Sequence, residues 1–285
     1  MFFSLYWVLL LSILGAQAPE NLGTKIVTRQ TLGPAAFSEH TRYIMPDRRR
    51  MEIRRSVQSR NNGGSTEMLY ELSSVVIVRC DLGKSYLLHP KTEEYSSSPY
   101  PPKRSTPEAT QLAVEKSDTG ETLKPTLRIE TTTVDTGERK EMFGYVARQV
   151  ITTRKQTPLD GSDSQPSQSV TEGWYIDIDL SISCDPKPGS KRSGFLSSRA
   201  AVGDKPMPID RPEFVDIGVR ETGLPLKETR TSPMTTTFSD GTMAISAHSD
   251  ESEVTVLEKG PLDPALFEVP SGYKQVETSQ KRLAE

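Results

Sequence analysis

The residues best able to carry chemistry in this sequence are three histidines and one pair of aspartates. His40, His89 and His248 lie in separate segments, without the spacing of a metal-binding motif such as H-E-x-x-H. Asp177 and Asp179 share one face of an alternating run, where they could hold a metal ion or act as an acid–base pair. Because apolar residues occupy the other face, the alternation favours a solvated pair. We therefore predict no catalytic residue, no metal site and no cofactor, and expect the protein not to be an enzyme.

A cluster of arginines in "DRRRMEIRR" (47–55) gives the sharpest concentration of charge. On a strand, Arg48, Arg50 and Arg54 project from one face with Glu52 among them. Such a face could dock an anionic lipid headgroup, lipopolysaccharide or an acidic protein partner. The same pattern also suits a charged strand that resists aggregation. The sequence leaves both interpretations open.

The sequence contains two cysteines, Cys80 and Cys184, whose spacing fits no metal or redox motif. Each follows a strand-like run, "SSVVIVRC" for the first and "WYIDIDLSISC" for the second. In an oxidising compartment they are candidates for a disulfide. Two buried thiols are the alternative, because a sequence does not place the two Cα atoms.

The first 18 residues, "MFFSLYWVLLLSILGAQA", predict the compartment. Their apolar run is shorter than the ~20 residues needed to span a bilayer, and it ends in small residues. We interpret residues 1–18 as a secretory signal peptide, with an uncleaved anchor as the alternative. No Cys follows directly, so we expect an exported, periplasmic protein without lipid attachment there and without a stable membrane anchor. The net charge of −3 provides no field for nucleic acid, and no nucleic-acid partner is expected.

The periodicity of the chain is that of β-strands. In "GWYIDIDLSIS" (173–183) every second residue is apolar, which predicts one strand across the whole run. The segment 125–155 predicts two long strands around a turn at residues 135–137. The second of these strands would carry Phe143, Tyr145 and Ala147 on one face. The other strand-like runs are 24–32, 38–46, 49–57, 67–80, 84–90, 224–232, 242–249 and 252–260.

Helix signals are scarce, and the best candidate is 107–116, which begins with Pro. Stretches rich in Pro, Gly and Ser at 96–107, 156–170 and 185–212 predict long loops. We find no internal repeat and no domain linker. The economical arrangement is a mostly β fold: residues 19–276 form one domain around a single, strongly curved antiparallel sheet, and 277–285 form a flexible tail.

The C-terminal run "DPALFEVPSGYKQV" (263–276) packs apolar residues around a turn and is unlike a polar tail. This ending, after a meander of long strands, resembles the outer-membrane lipoprotein carrier (LolA/LolB-like) superfamily and its periplasmic relatives. The resemblance covers roughly residues 24–276. The matching positions of the pattern Asp-x-x-Leu-Phe-x-Val-Pro-x-Gly-Tyr are Asp263, Leu266, Phe267, Val269, Pro270, Gly272 and Tyr273.

The resemblance implies a half-open barrel, in which a curved sheet wraps an apolar concavity that a short helix and loops cover. It also implies that Leu266, Phe267 and Val269 plug one end of that concavity. The expected function is non-catalytic binding of an apolar ligand, a lipid or a lipoprotein acyl chain, on the concave face. The alternative is a sensor or interaction module that binds an envelope protein on the same sheet and carries no lipid. The candidate cavity wall is Phe143, Tyr145, Trp174, Ile176, Ile178 and Leu180.

Overall fold

The computed structural model of the protein describes residues 21–31, 36–60, 66–102, 124–162, 164–186, 210–237 and 242–277. Three predicted features lie outside these ranges: the signal peptide, the helix at 107–116 and the tail beyond Glu277. Of the predicted loop at 185–212, only the two ends are described. No helix among the described residues is long and apolar enough to cross a membrane.

The prediction of a mostly β fold is confirmed, because one sheet of thirteen strands organises the described residues. The strands are β1 Leu22–Thr31, β2 Phe37–Met45, β3 Arg48–Arg60, β4 Thr66–Arg79, β5 Lys84–His89, β6 Glu94–Pro99, β7 Leu127–Met142, β8 Tyr145–Pro158, β9 Ser167–Ile176, β10 Pro212–Ile217, β11 Leu224–Thr237, β12 Met243–Pro261 and β13 Lys274–Gln275. Among the described residues, helical structure is limited to a 3₁₀ turn at Pro264–Phe267.

The sheet is mixed, whereas the sequence predicted an antiparallel one. Its strand order is β10-β7-β8-β9-β11-β12-β1-β2-β3-β4-β5-β6-β13, and it is not closed. Two pairs are parallel, β10 with β7 at one edge and β13 with β6 at the other. Both edge strands return from distant parts of the chain, and local alternation carries no information about such pairings.

The hairpin of β7 and β8 turns eight residues later than predicted. Its turn lies at Phe143 and Gly144, which both have positive φ. The Asp135-Thr136-Gly137 segment is instead an irregularity inside β7, where the pairing register shifts. There the Asp135 carboxylate accepts hydrogen bonds from the Gly137 N–H and from Arg139, so local contacts stabilise the extra residues without reversing the chain.

Other strand boundaries differ from the prediction as well, since residues 96–99, 156–158 and 167–170, which were predicted as loop, belong to β6, β8 and β9. The run 173–183 is a strand only as far as Ile176, and the following residues leave the sheet. The two late runs at 242–249 and 252–260 form one long strand, β12, which pairs with β11 along its first half and with β1 along its second.

The sheet buries apolar side chains on both faces. Adjacent strand residues point to opposite faces, and Ile44 belongs to one cluster while its neighbour Met45 belongs to the other. The large cluster comprises Ile26, Ile44, Val78, Ala147, Ile176, Ile182, Leu224, Leu226 and Val254. The small cluster comprises Met45, Val75, Ile77, Leu88 and Phe267. Each cluster includes one residue from outside the strands, Ile182 in the large cluster and Phe267 in the small one.

Candidate functional site

Residues 177–185, here called the strap, cross one end of the sheet on the face of the large cluster. The strap leaves β9 after Ile176, lies beside residues 22–24 of β1 and Lys259 of β12, and reaches the turn between β2 and β3. There the Ser183 N–H donates to the Pro46 carbonyl at 2.8 Å. Ile182 is buried in the large cluster, so the strap forms part of the core on this face.

The end of the strap is fixed by covalent and polar contacts. Cys184 forms a disulfide with Cys80 at the end of β4, which resolves the two alternatives that the sequence left open. One residue on, the Asp185 carboxylate accepts two hydrogen bonds of 3.1 Å from the Arg49 guanidinium and one of 2.6 Å from the Tyr100 hydroxyl. These contacts join the strap to β3, β4 and the segment after β6.

The polar contacts of Asp185 change the titration of this site. Burial alone would raise the pKa of the Asp185 carboxyl, but hydrogen bonds from Tyr100, from the Ile182 N–H and from Arg49 hold the pKa below its ordinary value. Burial and the same hydrogen bond to Asp185 raise the pKa of Tyr100. The carboxylate is thus ionised and the phenol neutral at physiological pH.

A pocket of about 890 Å³ lies beside the strap, on the same face of the sheet. Its floor consists of two neighbouring cross-strand rows. One row runs Ile44, Arg49, Val78, Ser85 and Ser98 across β2 to β6. The other runs Arg42, Met51 and Val76 across β2 to β4. Leu180 of the strap, Tyr100 and the prolines at 99 and 102 complete the lining.

The six residues predicted to form the cavity wall lie in three different places: the core, the pocket and the surface. Tyr145, Trp174 and Ile178 are half-buried and pack against the large cluster, of which Ile176 is a member. Leu180 packs there too and alone among the six lines the pocket. Phe143 lies in the exposed turn between β7 and β8, away from the face that the sequence assigned to it, because the hairpin turns there.

The three candidate docking arginines share one face of β3, as predicted, and that face is opposite the pocket. Each has an acidic neighbour: Arg48 pairs with Asp47, and Arg50 and Arg54 pair with Glu52. Local carboxylates therefore offset part of the positive charge that the sequence offered to an anionic partner.

The same arginine face supports the C-terminal segment. Arg50 donates a hydrogen bond of 2.8 Å to the Leu266 carbonyl, and the Arg48 guanidinium lies 6.0 Å from the centre of the Phe267 ring. Phe267 is 1% exposed and fills the small cluster, while Arg79 pairs with Glu268. The C-terminal segment covers the face opposite the candidate cavity wall, and the sequence prediction that it plugs the same concavity is corrected accordingly.

The aspartate pair does not form one site. Asp177 is exposed and pairs with Arg148, whereas the Asp179 carboxylate accepts hydrogen bonds from the N–H and hydroxyl of Ser181. These hydrogen bonds lower the pKa values of both carboxyls. Within the described residues, no group of three or more His, Cys, Asp or Glu side chains could hold a metal ion.

Sequence reasoning missed the arginines that line the pocket. It selected the even-numbered residues of "DRRRMEIRR" because they form the denser charge cluster. The odd-numbered Arg49 and Met51 project from the other face of β3, beside Val76 and Val78 of β4. The alternation was a usable signal, since Met51 and Ile53 place two apolar side chains on the odd-numbered face, whereas the even-numbered face is charged throughout.

No protein-family model matches the chain, and no curated protein is significantly similar to it in sequence. The pocket, the strap and their charges therefore carry the functional argument.

Proposed function

We propose that the chain is an exported, periplasmic protein that binds an apolar ligand, a lipid or a lipoprotein acyl chain, without catalysing its conversion. The observation that carries this proposal is the pocket of about 890 Å³ beside the strap. Ligand pockets have volumes of roughly 300–1,000 Å³ and combine apolar walls with a few polar groups. This lining has that composition, with Ile44, Met51, Val76, Val78 and Leu180 as its apolar part.

A curved, half-open barrel is the architecture we propose around the pocket. The large cluster supports it, because one group of contacting side chains extends from Ala147 on β8 to Val78 on β4, across eight neighbouring strands. A sheet that bends toward this face brings such distant strands within contact. The resemblance of the chain to the LolA/LolB-like superfamily is consistent with the same arrangement.

Export is proposed from the apolar segment 1–18 and agrees with the disulfide between Cys80 and Cys184. Structural disulfides persist in oxidising compartments such as the bacterial periplasm and are rare in the cytosol.

The proposal is tested by uptake of the neutral fluorescent probe N-phenyl-1-naphthylamine. Val76→Trp places an indole in the floor of the pocket and should abolish uptake, provided that circular dichroism shows a folded protein. The matched control is Val146→Trp, because Val146 is 72% exposed on β8. Failure of the wild-type protein to take up the probe, or equal uptake by both variants, would overturn the proposal.

An interaction module remains the second candidate, and one observation favours it. Three large apolar residues are exposed on or just after the edge strand β10: Phe214, Ile217 and Val219. An edge strand with such side chains can receive a strand of a partner protein. Native mass spectrometry separates the two functions, since a co-purifying lipid supports the first, and a bound protein without lipid supports the second.

A further inference from the structure

Arg42 on β2 is the one charge of the pocket whose role the fold does not explain. Its side chain is half-buried and lines the pocket. It forms no ion pair or hydrogen bond with any residue that the structure describes. Burial, together with the nearby charge of Arg49, lowers the pKa of Arg42. The surroundings therefore disfavour this cation and do not stabilise it.

The other partly buried arginines that the structure describes each have a carboxylate partner. Among the described arginine side chains that are at least partly buried, every one except Arg42 has a carboxylate within ion-pair distance. These arginines are Arg48, Arg49, Arg50, Arg54, Arg79 and Arg148. A partly desolvated guanidinium without a partner costs free energy, so the exception calls for an anion from outside the chain.

The composition of the pocket specifies the kind of anion. Among the described residues, the lining contains Arg42 and Arg49 but no Asp or Glu, and the nearby carboxylate of Asp185 already pairs with Arg49. Arg42 lies directly across from Met51, which in turn lies across from Val76. Within the pocket lining, a cation thus lies at one end of the row Arg42, Met51 and Val76, where an amphiphile would place its headgroup and its chain.

The geometry points to a single-chain anionic amphiphile as the ligand, with its carboxylate or phosphate headgroup on Arg42 and its alkyl chain along Met51 and Val76. This inference rests on the proposed function and narrows it to one charge class. An arginine binds a carboxylate or a phosphate through two parallel hydrogen bonds, which are about twice as strong as neutral ones. The headgroup supplies the anionic partner that Arg42 lacks among the described residues.

The test compares ligands that share a twelve-carbon chain and differ in headgroup: laurate, dodecyl phosphate, dodecanol and dodecyltrimethylammonium. Each would compete with N-phenyl-1-naphthylamine at pH 8, the three ionic ligands below their micelle concentrations and dodecanol below its solubility limit. The wild type should bind at least one of the two anions roughly 10–100-fold more tightly than dodecanol, and the cation most weakly. Tighter binding of laurate would indicate that the site recognises a carboxylate, and tighter binding of dodecyl phosphate that it recognises a phosphate. Either result supports anion recognition.

Arg42→Gln should bring the affinity for the anions to that for dodecanol, while Arg42→Lys should keep part of the preference. Arg154→Gln on β8, an exposed arginine, is the matched control. The inference is overturned if the wild type binds dodecanol as tightly as both anions, or if Arg42→Gln retains the preference. It is also overturned if Arg48→Gln, on the opposite face, removes the preference instead. In these cases dodecanol still displaces the probe, whereas failure of the proposed function leaves no probe to displace.

Discussion

Arg49 on β3 and Asp185 at the end of the strap are joined by two hydrogen bonds of 3.1 Å, next to the disulfide of Cys184 with Cys80. The two links have different chemistry but fix the same point, where the strap ends above the pocket face. Because the strap contributes Ile182 to the core and Leu180 to the pocket, its attachment links the stability of the core to the shape of the pocket. The first two predictions test these links separately.

Replacing both cysteines by serine should lower the free energy of unfolding by up to ~4–5 kcal/mol on the chain-entropy account. The disulfide joins positions 104 residues apart and so restricts the conformations of the unfolded chain. The unfolded chain regains this conformational freedom when the bond is absent. Thermal melts of the oxidised wild type and of the double variant measure the difference. Quantitative alkylation of both cysteines in unfolded, unreduced protein would show that the disulfide does not form.

Asp185→Asn should lower the free energy of unfolding at pH 7 by about 1–3 kcal/mol, since Arg49 then lacks its carboxylate. The folded pKa of Asp185 lies below its ordinary 3.8, so its stabilisation is complete above about pH 4 and is lost as the pH falls through the folded value. The difference between wild type and variant should therefore shrink in acid. Asp160→Asn, at an exposed position between β8 and β9, is the control, and an equal pH dependence of both variants would contradict the assignment.

Phe267→Ala should cost about 3–5 kcal/mol, because Phe267 fills the small cluster and its removal leaves a cavity. The matched substitution Phe143→Ala removes a ring from an exposed turn and should change stability by less than about 0.5 kcal/mol. Urea denaturation monitored by circular dichroism measures both. Similar losses for the two variants would show that the C-terminal segment does not pack as described.

The proposal of export predicts a mature protein that begins between Gln17 and Glu20. The apolar run before these residues ends in Ala16-Gln17-Ala18, the small-residue context in which signal peptides are cleaved. N-terminal sequencing of material from the periplasm gives the answer. Membrane-bound protein that still begins at Met1 would favour the uncleaved anchor.

Alternation in the sequence was sufficient to place many of the strands, and its limits show at particular residues. Residues 67–79 of β4 were predicted as a strand, and Val75 and Ile77 face one cluster while Val78 faces the other. The run 173–183 was only half right. Its apolar residues do face the core, but those after Ile176 do so from the strap. Alternation reports which side of an extended segment is buried, and it does not distinguish a paired strand from an extended segment lying across a sheet.

The candidate site was predicted less well than the fold, because a pocket requires residues from several strands in one register. The run 47–55 presents arginines to both faces of β3, and the sequence did not show which face would meet Phe267 and which would remain beside Arg42. That choice depends on the C-terminal segment, which lies more than 200 residues away along the chain.

By itself, the sequence determined the β class, the strand faces and the packed character of the ending, because each is set by side-chain periodicity within a few residues. Only the tertiary structure decided that β10 pairs with β7 in parallel, that the strap crosses to Cys80, and that Arg42 has no carboxylate partner among the described residues. These features join residues distant in sequence. Burial of apolar surface and pairing of charges in the folded chain decide such features. A pattern within a few residues of the sequence does not predict them.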